Sequence, residues 1–128
     1  MTVADTDVLI DFFAGSGPAH DAVETALEDQ TLATTVVSRF ELLSGARTDR
    51  ALKTVHWLLD AMPTLPLHEA AADKAAELRR RLEAARNSIG MADSLIAGIV
   101  LASGGVLLTR NRRHFQRVED LRLFPLDI

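Results

Sequence analysis

Three acidic residues sit where carboxylate chemistry is feasible. Asp5 ends the short apolar run Thr2-Val3-Ala4, Glu41 lies just beyond the β-branched run Leu32–Val36, and Asp93 is the only charge at the start of the apolar segment from Ala92 to Ser103. Carboxylates gathered from distant parts of a chain repel, by about 4 kcal/mol for a pair 4 Å apart at an effective dielectric of 20. A divalent cation offsets that repulsion, and hard oxygen donors suit Mg²⁺ or Mn²⁺. The chain has no cysteine, which excludes thiolate zinc sites, iron–sulfur clusters, disulfides and a cysteine nucleophile. Its four histidines, His20, His56, His68 and His114, show no metal-ligand spacing. Each acid also has a purely structural role open to it. Asp5 could cap a helix or make a turn, Glu41 stands three residues after Ser38 as in a capping box, and Asp93 could simply favour a helix N-terminus.

The elements that must position these acids follow from the apolar periodicity. Thr2–Ala4 and Leu32–Val36 predict short strands, and Asp7 is a candidate N-cap for a helix that closes near Gly15-Ser16-Gly17-Pro18. Further helices are expected from about Pro18 to Asp29, from Ser38 to Arg47 and from Asp49 to Ala61. The proline-flanked Thr64-Leu65 suits only a short edge strand. A long Ala-rich helix from His68 to Arg86 and a helix from Ala92 to Ser103, apolar on nearly every side, then precede the buried strand Val106–Leu108. Thr109 to Arg117 reads as a polar loop or short helix, and Leu121 to Ile128 as a last short strand or tail. Strands alternating with helices imply right-handed crossovers and a parallel sheet covered on both faces. In such sheets ligands bind beyond the carboxyl ends of the strands, where these acids fall.

Taken in order, Asp5-Thr6-Asp7-Val8-Leu9-Ile10-Asp11, Ser38-Arg39-Phe40-Glu41-Leu42-Leu43-Ser44-Gly45, Ala92-Asp93-Ser94-Leu95-Ile96-Ala97 and Leu108-Thr109-Arg110-Asn111-Arg112-Arg113-His114-Phe115 resemble the motifs of PIN domains. The length is similar to that of the VapC group, the ribonuclease toxins of type II toxin–antitoxin pairs. The resemblance covers essentially the whole chain and implies one PIN-like domain over residues 1–128, a three-layer α/β fold with a five-stranded parallel sheet flanked by helices. It also implies a Mg²⁺-dependent endoribonuclease site, with Asp5, Glu41 and Asp93 as catalytic and metal-binding residues and Mn²⁺ as an alternative ion. The implied partner is a small VapB-like antitoxin. Two positions depart from the commoner pattern: Asn111 stands where many PIN domains carry a fourth acid, and Asp7 where Asn or Ser is common, its chemistry favouring a helix cap. On this resemblance, Thr6, Thr109 and Asn111 are expected to hold the carboxylates or a phosphate oxygen in place.

Charge distribution bears on the substrate. The formal net charge of −4 speaks against nucleic acid at first sight, yet residues 1–64 carry −6 and residues 65–128 carry +2. Arg110, Arg112, Arg113 and Arg117 are the expected RNA-binding residues, since guanidinium groups grip phosphate and stack on unpaired bases. Apolar residues around the helix at 49–61 are expected to bury against an antitoxin helix or a second copy in a homodimer. The N-terminus lacks the pattern of a secretory signal, and the longest apolar stretch, Leu95 to Leu108, is 14 residues, short of the roughly 20 that cross a bilayer. A cytoplasmic protein without membrane contact is therefore expected. Two rivals remain: a catalytically silent PIN-fold binding module, and a phosphoacceptor receiver domain. The latter needs a lysine at a strand end, whereas Lys53 and Lys74, the only lysines, follow no predicted strand.

Overall fold

The computed structural model describes residues 1–126. Among the described residues four short strands form one parallel sheet: β1 (Thr2–Ala4), β2 (Leu32–Thr35), β3 (Thr64–Leu65) and β4 (Val106–Leu108), in the spatial order β3-β2-β1-β4. The chain thus builds the sheet outward from β1 to β3 and then returns to the other side of β1. That reversal places the switch point between β1 and β4, whose register pairs Ala4 with Leu108. Asp5 and Thr109 are the next residues on the two strands, side by side.

Seven helices among the described residues cover the sheet: α1 (Thr6–Phe13), α2 (His20–Glu28), α3 (Val36–Gly45), α4 (Asp49–Leu59), α5 (Glu69–Ala84), α6 (Met91–Ser103) and α7 (Arg112–Phe115). Strand side chains alternate between faces. Ala4 and Leu108 point into a core with Val8, Leu9, Val23 and Leu58, whereas Val3 and Leu107 point into a second core with Leu78, Ile96, Val100 and Phe115. The result is the expected three layers, with α1 to α4 on one face and α5 to α7 on the other. Between α5 and α6 the backbones nearly touch at Gly98, where a Cβ would lie 2.6 Å from the Ala71 carbonyl oxygen and from the Ala75 Cβ. Among the described residues no helix is long and apolar enough to cross a membrane.

Four expectations need correction. Among the described residues the sheet has four strands rather than five, because the segment from Leu121 meets β4 only at a single parallel bridge, Leu107 to Leu123, and Pro125 cannot continue a ladder. Asp127 and Ile128, the end of that expected strand, lie outside the described residues. The helix expected from Ser38 begins earlier, at Val36, capped by the Thr35 hydroxyl, which accepts from the Ser38 amide at 3.1 Å. Glu41 therefore lies within α3 with no capping duty. Likewise α1 is capped by Asp5, not Asp7, with the Asp5 Oδ1 accepting from the Thr6 amide at 2.8 Å. Proline in the first turn does not start α2, which begins at His20.

Candidate active site

At the carboxyl edge of β1 and β4 the chain assembles a connected set of acids. Asp5 is buried, and its Oδ2 accepts from the Thr109 hydroxyl at 2.8 Å. Burial, chiefly, and then the neighbouring Asp7 push the Asp5 carboxyl up from 3.8 to about 7, with a further contribution from Asp93. Hydrogen bonds from Thr109 and Thr6 oppose that rise without cancelling it. Asp7 is also raised by burial, and here the Arg110 backbone N–H and side-chain charge oppose the shift. The Asp7 carboxylate accepts from the Arg110 amide at 3.1 and 3.3 Å and lies 3.4 Å from the Thr109 hydroxyl. Asp7 therefore belongs to the carboxylate group rather than to the helix cap, because Asp5 already fills the cap position.

The other expected residues join through small polar groups. The Thr6 hydroxyl donates to Glu41 Oε1 at 2.7 Å and lies 2.9 Å from the Ser38 hydroxyl, so one residue ties Asp5 to exposed Glu41. Asp93, in the first turn of α6, accepts from the Asn111 side-chain amide at 3.2 Å. The Asn111 backbone amide in turn donates to the Thr109 hydroxyl at 3.0 Å, completing a chain from Asp93 back to Asp5. His114 Nδ1 stands 3.0 Å from Asn111 Nδ2 and 3.4 Å from Asp93 Oδ2. Asn111 thus occupies its place as a hydrogen-bond donor and adds no charge. Of the residues that sequence reasoning passed over, Asp11 was signalled by its spacing: Asp7 and Asp11 share one face of α1, four residues apart.

This donor set suits a hard cation. All the acids offer oxygen, Asp5 is desolvated, and its nearest charged neighbours are negative. Among the described residues no three Asp, Glu, His or Cys side chains close into one ready-made cage. Lys53 and Lys74 lie on α4 and α5, away from strand ends, so the lysine that a receiver domain needs is missing.

The four arginines expected to meet RNA have different surroundings. The Arg110 Nε lies 2.8 Å from Asp11 Oδ2, Arg112 Nη1 donates to the Phe124 carbonyl at 2.6 Å, and Arg117 Nη1 donates to the Asn87 and Ser88 carbonyls at 3.5 and 3.1 Å. Arg113 is exposed on α7. An apolar groove of about 470 Å³ is lined by Ile10 and Phe13 of α1, Glu41 and Leu42 of α3, Ala46, and Val55 of α4.

Comparison with known proteins places these features in a family. The PIN domain family matches residues 2–121. Ribonuclease VapC10 of Mycobacterium tuberculosis is 36% identical over 122 residues, covering 95% of this chain and 91% of its own. The tRNA(fMet)-specific endonuclease VapC of Shigella flexneri is 28% identical over 92% of both chains. Among solved structures, VapBC2 from Rickettsia felis bound to a promoter DNA fragment superposes with a TM-score of 0.88 over 98% of both chains at 21% identity. DNA-bound VapBC from Salmonella typhimurium gives 0.85 over 96% of both chains, also at 21% identity. At that identity the two structures speak for the fold alone.

Proposed function

Since the chain belongs to the PIN domain family and is a relative of the VapC ribonucleases, we propose that it is a Mg²⁺-dependent endoribonuclease, with Mn²⁺ as an alternative, and the toxin of a type II toxin–antitoxin pair. The observation that carries the reading is the buried, charge-crowded Asp5 at the switch point of the sheet, linked through Thr6 and Thr109 to Glu41 and Asn111. Asp5 and Asp93 would hold the cation, with Glu41 completing its shell or aligning the attacking water. When bound, the ion supplies an acidified water and offsets charge developing on the phosphorus oxygens. The protein's own groups then set the geometry. Thr109 fixes Asp5 Oδ2 and Thr6 fixes Oδ1, so the carboxylate cannot rotate away. Asn111 holds Asp93 in the same manner from the other side. Glu41 Oε1 is oriented by the Thr6 hydroxyl and, being exposed, can take a proton from water.

Exposed Arg113 and half-exposed Arg110 would meet the strand's phosphates, whereas Arg112 and Arg117 would do so only after leaving their carbonyl partners. The antitoxin would lay an apolar helix into the groove between α1, α3 and α4. Glu41 lines that groove, so an occupant there borders the centre it must silence. The test is cleavage of RNA by the purified chain with Mg²⁺ or with chelator. Cleavage in Mg²⁺ alone, abolished by Asp93→Asn, supports the reading; RNA binding without cleavage under any divalent ion would instead favour a silent PIN-fold module.

A further inference from the structure

Outside the acids already described, the least expected charge is Asp11. Its side chain is only 17% exposed, and its Oδ2 is fully buried without a well-aligned hydrogen bond. The Arg110 Nε lies 2.8 Å away but off the N–H axis, so charge rather than a directed bond holds the two together. Gly17 closes the other side: at φ +107° it packs so tightly that a Cβ would come 2.7 Å from Asp11 Cγ and Oδ2. The Ser16 amide ties the same loop to the Asp11 carbonyl at 3.2 Å. A carboxylate left in this state is costly unless its counter-charge is fixed. Arg110, for its part, is pinned at both ends, its backbone amide on Asp7 and its Nε on Asp11. Its side chain remains 45% exposed, and among the described residues its two Nη groups make no hydrogen bond or ion pair.

Resting on the ribonuclease reading, we propose that Asp11 is a positioning residue: it anchors the Arg110 guanidinium at the rim of the carboxylate cluster so that the unoccupied Nη edge meets a phosphate of the RNA strand. The arrangement gives the acidic site one fixed cation beside its acids, and two N–H groups suit a phosphate's paired oxygens. The sign of the effect separates this role from simple electrostatics. Removing an acid beside a polyanion's path should tighten binding, whereas removing the anchor should loosen it.

The experiment measures binding of a mixed-sequence single-stranded RNA oligonucleotide to the full chain under chelation, together with steady-state cleavage in Mg²⁺. Asp11→Asn is expected to weaken binding about fivefold, as expected for one contacting pair. Arg110→Ala should weaken it by a similar factor, and the double variant no further. The salt dependence should flatten by about 0.7 in log–log slope in each, the value for one phosphate contact on a single strand. In cleavage, most of the loss should appear in KM. Asp11→Ser, smaller and compatible with Gly17, gives the same result if Asp11→Asn does not fold. Unchanged or tighter binding by a cleaving Asp11 variant, or losses that add with Arg110→Ala, overturns the inference and leaves the ribonuclease reading standing. No RNA binding or cleavage by the wild-type chain overturns both.

Discussion

The carboxyl edge of the sheet and the contact between α5 and α6 solve opposite problems. Between the helices, Ala71, Ala75 and Gly98 let two backbones approach, and periodicity, propensity and packing agree there. At the sheet edge, Asp5, Asp7 and Asp93 are held close enough that burial and mutual repulsion raise the first of them to about 7. The helix contact is built for stability, whereas the acid cluster stores unfavourable charge that only a cation or a proton relieves. Local conflict of this kind is expected at functional sites, and it makes the two regions respond in opposite directions to substitution.

Asp5→Asn offers the largest contrast. RNA cleavage should fall roughly a hundredfold to a thousandfold, the scale of losing a preorganised electrostatic group, while the metal-free protein becomes more stable in urea unfolding at pH 8. A less stable variant would break the comparison.

The pH dependence carries the same argument. Because the folded-state carboxyl of Asp5 sits above its unfolded value of 3.8, the folded chain binds that proton more tightly. Its contribution is therefore most favourable below 3.8, is lost as pH rises towards about 7, and stays lost above it. The full excursion is about 4 kcal/mol, read by chelated unfolding from pH 4 to 8. Asp5→Asn should flatten that part of the profile, and Mg²⁺ should restore stability at the alkaline end.

Gly98→Val tests the helix contact. With a Cβ 2.6 Å from Ala71 O, it should cost about 3 kcal/mol in urea unfolding, while cleavage per folded molecule stays near wild type. Asn111→Ala is a smaller perturbation of the site. Loss of the hydrogen bond to Asp93 should slow cleavage about tenfold with little change in melting temperature. Smallest is Arg112→Ala, which releases the Phe124 carbonyl and should cost about 1 kcal/mol of stability.

Much of this architecture is legible in local pattern. The helix from His68 and the helix ending at Gly104 follow from apolar spacing, an N-cap whose imidazole accepts from the Ala71 amide, and a left-handed Gly104 that ends α6. Asp5 and Asp93 were visible as charges at the edges of apolar runs. Glu41 was ambiguous, because its spacing from Ser38 imitates a cap that Thr35 in fact supplies. The resemblance implies a fifth strand, and the apolar content from Leu121 to Ile128 does not reveal that among the described residues Leu123 alone bridges β4.

The sequence by itself determined the element types, the two apolar faces of the sheet and an oxygen-only set of acids, because each depends on neighbours within a few residues. Only the tertiary structure decided which acids share a site and what their protonation becomes. Asp5 and Thr109 are 104 residues apart in the chain but one hydrogen bond apart in space. Desolvation, like-charge proximity and the Asp11–Arg110 pair arise from that closure, and no local pattern encodes a dielectric or a distance across the sheet.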